Sequence, residues 1–162
     1  MKLTEVMMKP KLYVAIGPSG SGKSTYFNKL KEKNPSLQHY SWDALRHEFY
    51  HPTDYKAAFD ASTQDKEFMN RVNDRFHKML EQQQDMFIDN INGSPKRRKY
   101  FIDAAKRAGY TTVAIVFNVP LETLIARQTT RGDKNVPEAA VRQQYNSMVR
   151  PLPGEFDEVV KA

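Results

Sequence analysis

A parallel α/β fold, one small sheet with helices on both faces, is predicted by three observations on this 162-residue sequence. Short apolar runs alternate with longer segments of helical period, the order that lays strands side by side and returns each crossover as a helix. One run, TTVAIVFNV at 111–119, is β-branched and nearly continuous, as a strand covered on both faces must be. The first run, LYVAIG at 12–17, leads straight into a glycine-rich turn that opens a helix, GPSGSGKS at 17–24. The length suits a single domain, 1–162, with its core at about 11–150.

Each element has its own signal. Residues 12–17 read as a buried strand because they are short, apolar and bounded by Gly17. Residues 23–31 read as a helix with Tyr26, Phe27 and Leu30 on one face, ended near Asn34-Pro35. LQHYSW at 37–42 is a weaker strand. DALRHEFYH at 43–51 is a short helical stretch stopped by Pro52, which disfavours helix at the residue before it. Residues 65–85 repeat apolar side chains at Phe68, Met69, Val72, Phe76, Met79 and Leu80, an amphipathic helix. MFIDN at 86–90 is a third strand. Ser94-Pro95 has the form of an N-cap followed by proline at the first helical position. That helix is expected to carry Tyr100, Phe101, Ala104 and Ala105 inward and to stop at Gly109. Pro120 opens another helix through about Thr129, the polar loop RGDKNVP follows, and a last helix lies near 138–149.

Composition narrows the function classes. No segment approaches the roughly 18–20 apolar residues of a membrane span, so no membrane partner and a cytoplasmic location are expected. The absence of Cys rules out disulfides and thiolate metal sites, and fits a reducing compartment. A net charge of +6 with a pI near 9.4 points to anionic company (nucleotides, nucleic acid or acidic lipid) or to a merely basic surface. The densest basic run, Lys96-Arg97-Arg98-Lys99, is expected on the solvated face of a helix.

Two motifs compete to define the chemistry. HEFYH at 47–51 matches the zinc-protease pattern H-E-x-x-H, and GPSGSGKS matches the phosphate-binding pattern G-x-x-x-x-G-K-[ST]. Either arises by chance in roughly 0.5% of chains this long at average residue usage, so rarity does not choose between them. Context does. A zinc site needs both histidines on one continuous helix and a third ligand beyond, whereas Pro52 follows His51 directly and PTDYKAAFD supplies no third His. His47 and His51 therefore read as histidines of a surface helix. The phosphate loop, by contrast, follows a buried strand and opens a helix. Gly17, Pro18, Ser19, Gly20, Ser21 and Gly22 would wrap an anion with successive N–H groups, and the helix start adds partial positive charge. Lys23 would reach the β- and γ-phosphates and Ser24 would ligate Mg²⁺, with Thr25 next in the nucleotide site. ATP, or another NTP, with Mg²⁺ is the cofactor this loop implies.

A phosphoryl acceptor needs more. Asp43 and Arg46, three apart after the second strand, would offer a base beside a cation, or Asp43 merely caps the helix and Arg46 lies in solvent. Arg127 and Arg131, four apart, lead into RGDKNVP and suit a lid that neutralises the phosphates. Asp89 ends the third strand, either near the metal with Ser24 or as a cap or turn residue of IDNING. Tyr40, Trp42, Tyr50 and Tyr55 could stack on unpaired bases or simply fill the core.

GPSGSGKST, NPSLQHYSWDALR, FIDNINGSPKRR and VFNVPLETLIARQTTRGDKNVPEAAV follow the order and approximate spacing of one family. From about Lys11 to Met148 the chain resembles the 5′-hydroxyl kinase domain of bacteriophage polynucleotide kinase. The resemblance implies a P-loop NTPase kinase fold with a small parallel sheet flanked by helices and a helical lid. It makes Asp43 the general base that takes the 5′-hydroxyl proton. It gives Arg46 the acceptor-side phosphate and reacting centre, Arg131 the ATP phosphates, and Lys23 and Ser24 their loop roles. The family's phosphatase motif D-x-D-G-T is missing, so no phosphatase domain is expected, and residues 40–86 match only loosely. Some phage relatives phosphorylate a hydroxymethyl group on a DNA base. The expected function is therefore ATP-dependent phosphorylation of a nucleic-acid hydroxyl, foremost a polynucleotide 5′-OH, in the host cytoplasm if phage-encoded. The alternatives are a kinase for hydroxymethyluracil in DNA or for a free nucleoside or nucleotide, and an ATP-gated nucleic-acid-binding module without phosphotransfer.

Overall fold

Among the described residues, five strands form one parallel sheet: β1 (Lys11–Ile16), β2 (Gln38–Tyr40), β3 (Met86–Ile88), β4 (Thr111–Val116) and β5 (Glu158–Lys161), in the order β2-β3-β1-β4-β5. The structure is a computed structural model that describes residues 8–51 and 54–162. Around the sheet lie α1 (Lys23–Lys33), α2 (Trp42–Phe49), α3 (Tyr55–Gln64), α4 (Phe68–Glu81), α5 (Pro95–Arg107), α6 (Leu121–Gln128) and α7 (Glu138–Ser147), with a 3₁₀ turn at Gly132–Lys134. The parallel α/β fold with helices on both faces is as the sequence predicts.

Both faces of the sheet are covered, which is why its central strands are apolar throughout. Leu12, Val14 and Ile16 of β1 join Phe76, Phe101 and Tyr110 in one buried cluster. Ala15, Phe87 and Ile115 face the other way and pack with Phe27, Leu37 and Phe117. The expected cap of α5 forms: Ser94 Oγ accepts from Arg97 N at 3.2 Å, and Pro95 takes the first helical position.

Several elements differ from expectation. The segment from Asp54 holds α3, where Asp54 caps by accepting from Ala57 N at 3.1 Å, and the C-terminus adds the edge strand β5. α4 is shorter than 65–85; it buries Phe68, Val72, Phe76 and Leu80 while Met69 turns outward. In α5, Phe101, Ile102, Ala104 and Ala105 are buried but Tyr100 is exposed. The solvated-face reading of Lys96-Arg97-Arg98-Lys99 fails at Arg98, which is completely buried. Arg98 lies three and four residues before Phe101 and Ile102, on the inward stripe of the helix. Its guanidinium is matched by Glu155, at 2.7 Å from Nε and 2.9 Å from Nη2, and by the Asn92 and Val149 carbonyls.

Candidate active site

In a parallel sheet the loops after the strands gather at one edge, and that edge is where ligands bind. The turn after β1 is the phosphate loop. Gly20 and Gly22 hold left-handed backbone with φ of 89° and 96°, which side chains rarely adopt. At Gly20 a Cβ would also stand 2.9 Å from Gln128 Nε2. Lys23, first residue of α1, donates from Nζ to the carbonyls of Gly17 at 2.6 Å and Pro18 at 2.9 Å. Burial lowers its pKa to about 8; Asp89 and Asp43 pull it back up, while Arg131 adds to the lowering.

Ser24 Oγ donates to Asp89 Oδ2 at 2.8 Å, and His39 Nε2 reaches the same oxygen at 2.8 Å. Burial pushes the Asp89 carboxyl up, but the bonds from His39 and Ser24 outweigh it, so the group is held below its ordinary value and stays ionised. A hydroxyl beside one carboxylate is a hard oxygen set of the kind that takes Mg²⁺ together with phosphate oxygens, so Ser24 and Asp89 fit the ion.

The turn after β2 delivers Asp43. Ser41, rather than Asp43, caps α2, its Oγ accepting from Ala44 N at 3.3 Å. Asp43 is thereby free of the capping role and pairs with Arg46 Nη1 at 2.8 Å, its side chain half exposed. Arg46 is held more firmly than a solvated arginine: Nε donates to Ser62 Oγ at 3.0 Å, and the guanidinium lies 5.0 Å from the Phe59 ring centroid and 5.2 Å from that of Phe68. Tyr55 stands in the field of Asp43. Burial, then the Asp43 charge, raise its hydroxyl pKa, which keeps it a proton donor beside the carboxylate.

The lid arginines reach the phosphate loop. Arg127 Nη1 donates to the Gly20 carbonyl at 2.8 Å, and Arg131 Nη1 donates to Ser19 Oγ. Between them Gln128 is buried: Nε2 donates to the Ser19 carbonyl at 3.1 Å, while Oε1 accepts from Arg131 at 3.2 Å and from Val136 N at 3.0 Å. From α7, Gln144 Oε1 accepts from Ser19 N at 2.9 Å.

One groove of about 1880 Å³ is lined by the loop residues 19–25, Asp43, Arg46, Asp89 and the lid arginines. The structure thus brings Lys23, Ser24, Asp43, Arg46, Asp89, Arg127 and Arg131 to one space. Of the aromatic residues, Tyr40 is buried and donates to Val72 O at 3.0 Å, and Trp42 Nε1 donates to the Tyr40 hydroxyl at 3.0 Å. Tyr50 bonds Asp65, and Trp42 and Tyr55 line the groove. The histidine motif dissolves into local bonding. His51 lies past the end of α2, and its carbonyl accepts from His47 Nδ1 at 2.7 Å. Sequence reading missed His39, Phe59, Ser62, Gln128 and Gln144. Gln128 is marked only by its position within the R-x-x-x-R element, and nothing in the sequence marks Gln144 on the helix beyond the lid loop.

Residues 12–151 match the family described as AAA domain. Among solved structures, a chain of the Pnkp1/Rnl/Hen1 RNA repair complex aligns with a TM-score of 0.69 at 19% identity, over 86% of this chain and 44% of that one. This protein therefore spans less than half of that chain. A fungal RNA kinase aligns with a TM-score of 0.62 at 18% identity, over 94% and 74%. A gluconokinase from Sinorhizobium meliloti aligns with a TM-score of 0.59 at 17% identity, over 94% and 81%. With its phosphate loop, parallel sheet and a family match over most of its length, the chain belongs to the AAA-domain family and has the P-loop kinase-type fold.

Proposed function

We propose that this protein is an ATP-dependent kinase that transfers the γ-phosphoryl group to a hydroxyl of nucleic acid, foremost a polynucleotide 5′-OH. The observation that carries the reading is Asp43: an uncapped, half-exposed carboxylate, paired with a clamped arginine, in the same groove as the phosphate loop. The carboxylate takes the proton of the acceptor hydroxyl. That oxygen forms its bond to the γ-phosphorus as the bond from phosphorus to the β,γ-bridging oxygen breaks, and ADP leaves with the electron pair. Lys23 and Arg131 neutralise the oxygens of the moving group, and Arg46 orients Asp43 and the acceptor. Mg²⁺, when bound by Ser24 and Asp89, supplies charge neutralisation at the β- and γ-oxygens. The neighbours described as an RNA kinase and as part of an RNA repair complex agree with a nucleic-acid acceptor, and the basic surface suits one.

The gluconokinase shows that the fold also serves a small-molecule kinase, so the acceptor needs direct assay. The protein is incubated with γ-labelled ATP and, separately, a 5′-OH oligonucleotide, hydroxymethyluracil DNA and mononucleosides. Label is expected at the oligonucleotide 5′ end; label confined to mononucleosides would remove nucleic acid as substrate. Asp43→Asn separates a kinase from an ATP-gated binder. It is expected to lower kcat by about 10²–10⁴ while ATP binding persists, and an undiminished turnover refutes the base role.

A further inference from the structure

We propose that His39 is a positioning residue for the cation site: its Nε2–H, together with the Ser24 hydroxyl, holds one oxygen of Asp89 and leaves the other for a divalent ion or its water. The proposal rests on the kinase reading above for what the ion does, and adds the residue that aims its carboxylate. Ser24 Oγ and His39 Nε2 each lie 2.8 Å from the same atom, Asp89 Oδ2. Oδ1 takes no hydrogen bond from the described residues. Asp89 is an ionised carboxylate whose oxygens only accept, so the proton of this contact sits on Nε2. A pair made for stability alone does best when donors satisfy both oxygens. Here two donors share one oxygen, and all three residues line the groove.

The sheet builds this contact. β2 and β3 pair in parallel with His39 opposite Phe87, and Asp89 N extends the ladder by donating to Tyr40 O at 2.8 Å. Side chains alternate along a strand, so His39, Phe87 and Asp89 share one face, and a slip of one residue would turn His39 to the other. On that face the imidazole stacks on Phe27, with ring centroids 4.2 Å apart and planes 25° from parallel. Phe27 belongs to α1, the helix that carries Ser24, and packs against Phe87. One helix therefore supplies both the hydroxyl and the surface that holds the imidazole. The Asp89 side chain is only 7% exposed, so protein donors rather than water fix its orientation. A donor behind a metal-binding carboxylate sets metal affinity, and its loss typically costs about 10–100-fold.

The test uses the full chain and separates the donor from the ring. His39→Phe keeps a ring on Phe27 without the N–H; His39→Gln keeps an N–H without the ring. Mn²⁺ binding to the protein with a β,γ-imido analogue of ATP is followed by the free-ion signal in electron paramagnetic resonance, with the analogue alone as reference. Binding of the analogue in EDTA is the folding control, and each variant is repeated beside Asp89→Asn. His39→Phe should raise the Kd for Mn²⁺ about tenfold, while His39→Gln should stay within about threefold of the unsubstituted protein. Beside Asp89→Asn, His39→Phe should have little further effect. In transfer assays the same split should appear in the KM for Mg²⁺. An unchanged Kd in His39→Phe overturns the proposal. Equal losses in the Phe and Gln variants, or equal losses with and without Asp89, overturn it too. Loss of analogue binding in EDTA marks a merely structural role and overturns it as well. None of these outcomes touches the kinase reading, because metal binding needs no acceptor. Coupling of His39 to Asp89 without transfer to any acceptor overturns the kinase reading and leaves the cation-site role in place.

Discussion

Lys23 sits with its ammonium against two carbonyl oxygens and its pKa drawn down to about 8 by burial, which links nucleotide binding to pH. A bound triphosphate favours the ammonium form and raises the pKa again. Below pH 8 the free and bound proteins both keep the proton, so Lys23 adds no pH dependence to affinity there. Above pH 8 the free protein loses a proton that the complex retains. Affinity should then fall, by up to about tenfold per pH unit, and binding should take up roughly three-quarters of a proton at pH 8.5, approaching one at higher pH. Calorimetry of ATP binding near pH 8.5, in two buffers of different ionisation enthalpy, measures that uptake, and Lys23→Met should abolish it. Fold stability moves the opposite way. A lysine depressed from 10.5 to about 8 costs stability in full at low pH, and the cost fades as pH rises between those values. At this scale the sequence was legible for the loop, because strand, glycines, lysine and serine stand in register. It could not tell whether Asp43 capped its helix, since Ser41 and Asp43 are both good capping residues two positions apart.

The segment from α6 through the 3₁₀ turn into α7 acts on the phosphate loop through Gln128. One buried amide joins the loop carbonyl of Ser19, the guanidinium of Arg131 and the backbone of Val136 on the far side of the turn. Gln128→Leu keeps the volume and removes all three bonds. The expected effect is a fall in kcat of about one to two orders of magnitude, from a misplaced Arg131, with a smaller change in the KM for ATP. Equal loss in both, or none in kcat, would show that Gln128 does not position Arg131. Arg127 and Arg131 could be read from the sequence by their spacing of four, but a lone glutamine between them carries no mark of burial. α3 and β5 were illegible for related reasons. YKAAFDASTQ has too few large apolar residues to show a stripe, and EVVK is an edge strand exposed along its length, so it shows neither alternation nor a continuous apolar run. Met69 and Tyr100 each adjoin a buried aromatic residue, Phe68 or Phe101. Where two neighbours are both apolar, helical period does not decide which one faces the core.

Across the whole molecule, Arg98 ties the C-terminal segment to the edge that carries the site. Its guanidinium bonds Glu155 just before β5, the Val149 carbonyl just after α7 and the carbonyl of Asn92. Asn92 in turn donates to the carbonyls of Ala15 at 2.7 Å and Ile88 at 3.3 Å, at the ends of the strands that lead to the phosphate loop and to Asp89. A buried ion pair adds little net stability over apolar packing, but removing one partner strands the other. Arg98→Met should therefore destabilise the fold by about 3–5 kcal/mol, whereas Arg98→Met with Glu155→Leu should cost less than the two single changes summed. The pH dependence carries an independent sign. Burial pushes the Glu155 carboxyl up, yet Arg98 and the Leu152 backbone hold it below its ordinary 4.5, so its contribution is in place above that value and is lost as pH falls through the lower, folded one. With Arg98 gone the burial effect loses its main opponent, and the acid limb of stability should move to higher pH. Urea titrations of both proteins across the acid range decide the matter: coincident acid limbs, or a loss under about 1 kcal/mol at neutral pH, would mean that the C-terminal segment is held by Phe156 and the β4–β5 pairing instead.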